Sequence, residues 1–161
     1  MWQGELKAIY ISPQEGGAMQ LLQQVHAVPG KGLEGDRYYF QAVKRPGEHS
    51  PDTEVTLIES EAYEALQRDH GLELDPGTSR RNLVTRGAPL NHLVGRAFKV
   101  GNVTLRGIEL CEPCNHLVSL TGRKEILPAL AHRGGLRAQI LTAGTIKLGD
   151  PIQEIDAAPA V

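Results

Sequence analysis

The chain has 161 residues, of which 40% are hydrophobic and 22% charged, a composition typical of a soluble globular protein. Its formal net charge is -2 and its 17 Lys and Arg residues are spread along the sequence, so we expect no nucleic-acid partner. No apolar run approaches the roughly 18 residues that a membrane-spanning helix needs, so we expect no membrane association either.

The first half of the chain predicts two strands and one helix. Apolar residues alternate with polar ones in Glu5–Ile11 and Glu54–Ile58, a pattern typical of half-buried strands. Glu59–His70 has its apolar residues on one helical face, with Ser60 available as a cap and Gly71 where a left-handed C-terminal residue is favoured. We therefore predict a helix packed on a sheet.

A β-hairpin is predicted in the middle of the chain. Arg96–Val100 and Val103–Leu110 flank Gly101-Asn102, a two-residue connection whose members tolerate positive φ. Further on, Lys124–Ala131 predicts a short helix, in which Pro128 is tolerated only in the first turn or at a kink.

Three short strands are predicted to close the fold. Gly135–Thr142, Thr145–Leu148 and Ile152–Ile155 have strand character, and Gly149-Asp150-Pro151 favours a turn between the last two. Many short strands with few helices indicate a mainly β fold, and a closed or nearly closed barrel with peripheral short helices removes the exposed edges.

The sequence is best described as a single domain. Its length suits one hydrophobic core over residues 1–156, and 157–161 is expected to be a frayed tail. The start, MWQGELKAIYIS, has no basic segment followed by an apolar stretch, so a cytoplasmic location is expected. That compartment keeps thiols reduced, so the two cysteines are interpreted as ligands, nucleophiles or core residues rather than a disulfide.

The spacing of the cysteines leaves several chemical roles open. Cys111-x-x-Cys114-x-His116, with His132 further on, can supply a tetrahedral zinc site. A dithiol redox pair and a merely buried thiol are the other two readings, although thioredoxin-like pairs begin a helix, whereas this segment follows a predicted strand.

Five segments in order carry a resemblance to a known family: GLEGDRYY at 32–39, EVTLIESEAYEAL at 54–66, SRRNLVTRG at 79–87, VGRAFKVGNVTLRGIELCEPC at 94–114 and RGGLRAQILTAGTIKLGDPI at 133–152. They resemble the MOSC domain, as a small stand-alone member. The resemblance implies a β-barrel-like fold and a molybdenum cofactor, molybdopterin, which a recombinant protein need not retain. It also implies that Cys114, in Pro113-Cys114, is the catalytic thiolate and the metal ligand.

The same resemblance implies cofactor contacts for several cationic and polar residues. An Asp-Arg-aromatic motif stands at Asp36-Arg37-Tyr38 and an Arg-x-Asn motif at 80–82, which makes Arg37, Arg80 and Asn82 candidate cofactor-binding residues, with Arg81 as a substitute for Arg80. Each arginine is also a candidate for a solvated surface group.

His132 and Arg133 are further candidate cofactor-binding residues. They precede Gly134-Gly135, where backbone N–H groups can approach a ligand and the imidazole can transfer protons. The alternative is that His132 ends a helix and the glycines stop it.

Three functions follow as expectations. The first is a reductase of N-oxygenated small molecules, with Cys114 on molybdenum and electrons from an external flavin or iron-sulfur protein. The second is a sulfur carrier that holds a persulfide on Cys114 and is loaded by a pyridoxal-phosphate cysteine desulfurase. The third is a zinc-bound structural module.

Overall fold

The computed structural model describes residues 2–113, 118–119, 122 and 124–155 of the chain. The helices whose bounds are described are α1 (Arg37–Lys44), α2 (Ser60–His70) and α3 (Ile126–Ala129). Its strands are β1 (Gln3–Ile11), β2 (Gln20–Leu22), β3 (Gln24–Val28), β4 (Gly32–Leu33), β5 (Val55–Glu59), β6 (Leu83–Arg86), β7 (Ala97–Val100), β8 (Val103–Leu110), β9 (Leu136–Ile140), β10 (Gly144–Lys147) and β11 (Pro151–Glu154).

Seven of the strands form a closed barrel. The hydrogen-bonded order is β11-β7-β8-β9-β5-β6-β1, and β1 pairs with β11 to complete the circle. Only β5 and β6 run parallel among the described barrel strands. β2 adds to β1, and β10, β3 and β4 form a separate three-stranded sheet. The predicted mainly β barrel with short helices is therefore confirmed.

Period-two burial places the apolar side chains inside the barrel. In β8, Val103 and Leu105 are buried while Arg106 is exposed. In β1 the alternation changes phase between Leu6 and Ile9, because a register shift after Leu6 inserts an extra residue opposite β6. The same core takes in Phe98 of β7 and Leu136 of β9.

The predicted hairpin and helix are both present. Val100 pairs with Val103 around a turn in which Gly101 has a φ of +60°. α2 ends at Gly71, which adopts the left-handed conformation as expected. The capping role predicted for Ser60 is wrong: Glu59 is the N-cap residue without a side-chain cap, and the Ser60 hydroxyl donates to Glu61 instead.

Several elements were absent from the sequence-based prediction: β2, β3, β4, β6 and α1. The closing strands were predicted: Gly135–Thr142 is longer than β9, and Thr145–Leu148 and Ile152–Ile155 each lie one residue later than β10 and β11. The tail predicted at 157–161 lies outside the described residues.

Among the residues that the structure describes, no helix combines the length and apolar character that crossing a bilayer requires.

Candidate functional site

The two segments predicted to bind the cofactor line one cleft of about 140 Å³. Arg37 and its neighbours stand at the start of α1, and Arg80, Arg81 and Asn82 lie just before β6. The same cleft is lined by Cys111 and Glu112, which follow β8, and by Arg137 of β9. The structure thus brings four of the predicted site residues together beside the segment that leads to Cys114.

Asp36 fixes the position of Arg37. Its buried carboxylate caps α1 by accepting from the backbone N–H of Tyr38, and it accepts a second bond from the N–H of Ser12 at 2.9 Å. The Arg37 guanidinium lies 3.7 Å from this carboxylate and 4.4 Å from the centre of the Tyr38 ring. Arg37 is therefore held by charge and by stacking, with its side chain 16% exposed at the cleft.

Arg80 is fixed by its backbone conformation and by two hydrogen bonds. It follows the 3-10 turn Pro76–Ser79 with a φ of +63°, an uncommon value for a residue with a side chain. Its guanidinium donates to the carbonyl of Gly17 at 2.6 Å and to the hydroxyl of Ser12 at 3.2 Å. Burial and the nearby charge of Arg37 lower the pKa of Arg80, so an anion in this cleft would relieve the repulsion.

Ser12 joins the two arginine segments. Its N–H donates to Asp36, its carbonyl accepts from the N–H of Arg37 at 2.9 Å, and its hydroxyl accepts from Arg80. The residue is fully buried at the end of β1. Sequence analysis did not single out Ser12, because the arginine segments that it binds are 24 or more residues away along the chain.

Arg81 is directed at backbone carbonyls rather than at solvent. Its guanidinium donates to Gly134 at 2.7 Å, to Cys111 at 3.1 Å and to Ser79 at 3.2 Å. These bonds connect the turn before β6 to the segment after β8 and to the turn before β9. Arg81 thereby braces the wall of the cleft from which the chain continues to Cys114.

Asn82 uses its amide to join strands. Its oxygen accepts from the backbone N–H and the hydroxyl of Thr56, at 3.0 and 3.1 Å, and its nitrogen donates to the carbonyl of Tyr10 at 3.0 Å. The residue lines the cleft but is 7% exposed. These hydrogen bonds hold the segment before β6 against β5 and β1, and so fix the part of the cleft that Asn82 lines.

Tyr63 and Ser79 hold the turn that precedes Arg80. The Tyr63 hydroxyl hydrogen-bonds the buried Ser79 hydroxyl and donates to the carbonyl of Pro76 at 3.2 Å. Burial raises the pKa of Tyr63 to about 12. The helical position of Tyr63 in α2 indicates packing, but no sequence signal links it to Ser79, 16 residues later.

His132 and Arg133 line a different cleft, which shares no lining residue with the first. His132 has a φ of +61° and follows α3, and both its backbone N–H and its Nδ1 contact the carboxylate of Glu112, at 2.8 and 3.1 Å. Arg133 contacts Asp69 at 3.5 Å. The structure does not bring these two candidates to Arg37 and Arg80.

Cys114, with Asn115 and His116, lies outside the described residues, so its predicted roles stay predictions. Cys111 is described and buried, with 2% of its surface exposed. In the described ranges no three His, Cys, Asp or Glu side chains are grouped as a metal site would need. The predicted zinc set contains Cys114 and His116, so it is not tested by that observation.

Arg81→Lys is expected to lower the free energy of unfolding by about 2 kcal/mol, because one ammonium cannot replace three guanidinium bonds to separate carbonyls. Urea denaturation followed by circular dichroism measures the change. The matched control is Arg106→Lys, an exposed position on β8, which should change stability by less than about 0.5 kcal/mol. Equal stabilities of the two variants would contradict the bracing role.

Comparison with known proteins identifies the family. The family model for the MOSC domain matches residues 23–153. This chain belongs to the MOSC family. Nothing matched among the curated proteins.

Three solved structures share the MOSC fold of this chain. The YuaD protein from Bacillus subtilis has a TM-score of 0.76 at 15% identity, over 94% of this chain and 97% of that chain. YiiM from Geobacillus stearothermophilus has a TM-score of 0.70 at 14% identity, over 95% and 75%. YiiM from Escherichia coli has a TM-score of 0.68 at 17% identity, over 98% and 72%. At these identities the likeness shows the MOSC fold alone.

Proposed function

We propose that this chain binds a molybdenum cofactor through the Cys114 thiolate and reduces N-oxygenated small molecules. One observation carries the proposal: Arg37 and Arg80 open into the same cleft as Cys111 and Glu112, and the sequence continues from there through Pro113 to Cys114. The proposal includes a cytoplasmic location, where the thiol would stay reduced.

The donor set of the cleft fits the anionic end of a pterin cofactor. Two guanidinium groups stand close enough for one to lower the pKa of the other, and phosphate is the ligand that guanidinium pairs hold best. The cleft of about 140 Å³ is smaller than the roughly 300–1,000 Å³ usual for ligand pockets. We therefore assign the phosphate, and not the whole cofactor, to Arg37 and Arg80.

The remaining residues would position the ligating sulfur. Arg81 holds the carbonyl of Cys111, and Pro113 restricts the backbone of Glu112. A thiolate is a soft ligand suited to a metal already bound by the sulfurs of the pterin, so one cysteine suffices. When bound, the cofactor supplies the two-electron redox chemistry.

Electrons would come from a separate flavin or iron-sulfur partner. The chain has two cysteines in all, whereas an iron-sulfur cluster is held by four protein ligands, mostly cysteines. The small-molecule substrate would enter beside the sulfur of Cys114. Arg37 and Arg80 would keep the cofactor in place.

The test is the metal content of protein purified from a host that makes the cofactor. Elemental mass spectrometry should find molybdenum in the wild type, none in Cys114→Ser, and wild-type amounts in Cys111→Ala, which removes the buried thiol. Arg37→Ala and Arg80→Ala should retain less molybdenum, and the exposed-site control Arg106→Ala should retain all of it. Equal molybdenum in Cys114→Ser and wild type would overturn the proposal.

Two other outcomes would move the assignment to another function. Zinc that is lost with either cysteine would favour a structural zinc module. A chain without molybdenum can also be incubated with cysteine and a pyridoxal-phosphate cysteine desulfurase. A mass increase of one sulfur on Cys114 would then favour a sulfur carrier.

A further inference from the structure

A second cleft, which the proposed function does not use, lies beside α2. It has a volume of about 350 Å³, within the range typical of small-molecule sites. Its charged and polar lining comes from Glu59, Glu61 and Arg68 around α2, from Asn91, and from His132 and Arg133 before β9. No residue of this second cleft lines the cleft of Arg37 and Arg80.

Two carboxylates, those of Glu59 and Glu61, belong to the lining of the second cleft. Glu59 is half-buried at the junction of β5 and α2, and burial together with the charge of Glu61 raises its pKa. Glu61 accepts from the backbone N–H of Gly87 at 2.8 Å and from the hydroxyl of Ser60 at 3.2 Å. A cation placed between the two carboxylates would offset both the burial and the repulsion at Glu59.

The lining of the second cleft also includes cationic donors, Arg68 and Arg133. Arg68 is committed, because two of its guanidinium nitrogens donate to Asp69 at 2.8 and 3.0 Å. Arg133 makes a single side-chain contact within the described ranges, a long one of 3.5 Å to the same carboxylate. Most donors of Arg133 therefore have no partner among the described residues and could bind a ligand anion. The Asn91 amide also lines this cleft and donates to the carbonyl of His132.

We propose that the second cleft binds a small zwitterion of the amino-carboxylate class, with the ammonium at Glu59 and the carboxylate at Arg133. A lining that holds both charges selects for a molecule that carries both, since a simple amine leaves Arg133 unpaired and a simple acid leaves Glu59 unpaired. The site needs neither the cofactor nor Cys114, so it stands apart from the proposed redox function.

A series of linear amino carboxylates tests the site and measures its span. Glycine, β-alanine, 4-aminobutyrate, 5-aminovalerate and 6-aminohexanoate are titrated into the wild-type protein by calorimetry. Alkylamines and alkanoates of matching length serve as single-charge probes. One chain length should bind best, and it should bind roughly tenfold or more tightly than either single-charge probe of that length.

Variants then test whether Glu59 and Arg133 bind the two charges of the ligand. Glu59→Gln and Arg133→Ala should each lower the affinity for the best probe by roughly tenfold or more. The controls Glu5→Gln and Arg106→Ala, at exposed sites elsewhere on the barrel, should leave that affinity unchanged. Thermal unfolding checks that every variant is folded. Three results would overturn the proposal: no probe bound at about 10 mM, single-charge probes bound equally well, or equal weakening in the controls.

Discussion

Gly135→Ala is expected to lower the free energy of unfolding by about 4 kcal/mol, or to abolish folding. A Cβ at this position would lie 2.0 Å from the carbonyl oxygen of Leu57, and Gly135 has a φ of +110°, which side chains rarely adopt. The backbone cannot yield easily, because the Gly135 carbonyl accepts from Cys111 at 2.7 Å and β9 pairs with β5 directly after it.

The control for Gly135→Ala is Gly149→Ala. Gly149 has a φ of +83°, but no heavy atom lies within 4 Å of its added Cβ, so it reports backbone strain alone, about 1–2 kcal/mol. Denaturant titration of both variants measures the difference, which is the cost of the close approach to Leu57. A Gly135→Ala protein no less stable than Gly149→Ala would show that the two segments can separate without cost.

Glu54→Ala is expected to cost about 3–4 kcal/mol. The Glu54 side chain is fully buried, and its two oxygens bind different partners: the N–H of Ile140 at 3.0 Å and the imidazole of His49 at 2.6 Å. β9 extends past the start of β5, and the carboxylate of Glu54 takes the place of a strand partner at Ile140. Its removal leaves both groups unpaired and opens a cavity.

Glu5→Ala is the matched control for Glu54→Ala. Glu5 is an exposed carboxylate 3.8 Å from Lys7, and its removal should cost less than about 1 kcal/mol. Guanidinium titration should give the same denaturant dependence for both variants and a large shift of midpoint only for Glu54→Ala. A shift no larger than that of Glu5→Ala would mean that water replaces the lost carboxylate.

Local patterns were sufficient to predict about half of the fold. The hairpin at Gly101-Asn102 and the end of α2 at Gly71 depend on residues adjacent in sequence, and both were predicted correctly. β3 was not predicted, although Val25 and Ala27 alternate with exposed residues, because its partner β10 lies at the other end of the chain. The alternation in β3 covers only five residues, and pairing with a distant strand adds no further local signal.

The candidate site was partly predictable for a similar reason. Family motifs led to Arg37 and Arg80, which the structure brings to one cleft. The glycine pair at 134–135 led to His132 and Arg133, which lie in another cleft, because nearness to a glycine pair in sequence does not specify which side of a loop a side chain occupies. Tyr63, Ser79 and Glu54 were missed, since their roles depend on partners that only the folded barrel brings close.

The three bonds of Ser12 to the arginine segments restrict how this cleft can change shape. Because one buried residue holds both arginine segments, neither segment can be displaced without the other, and a bulkier ligand cannot be admitted by shifting a single loop. Related proteins that accept larger ligands would have to lengthen the lining segment after β8, to which Ser12 makes no hydrogen bond among the described residues.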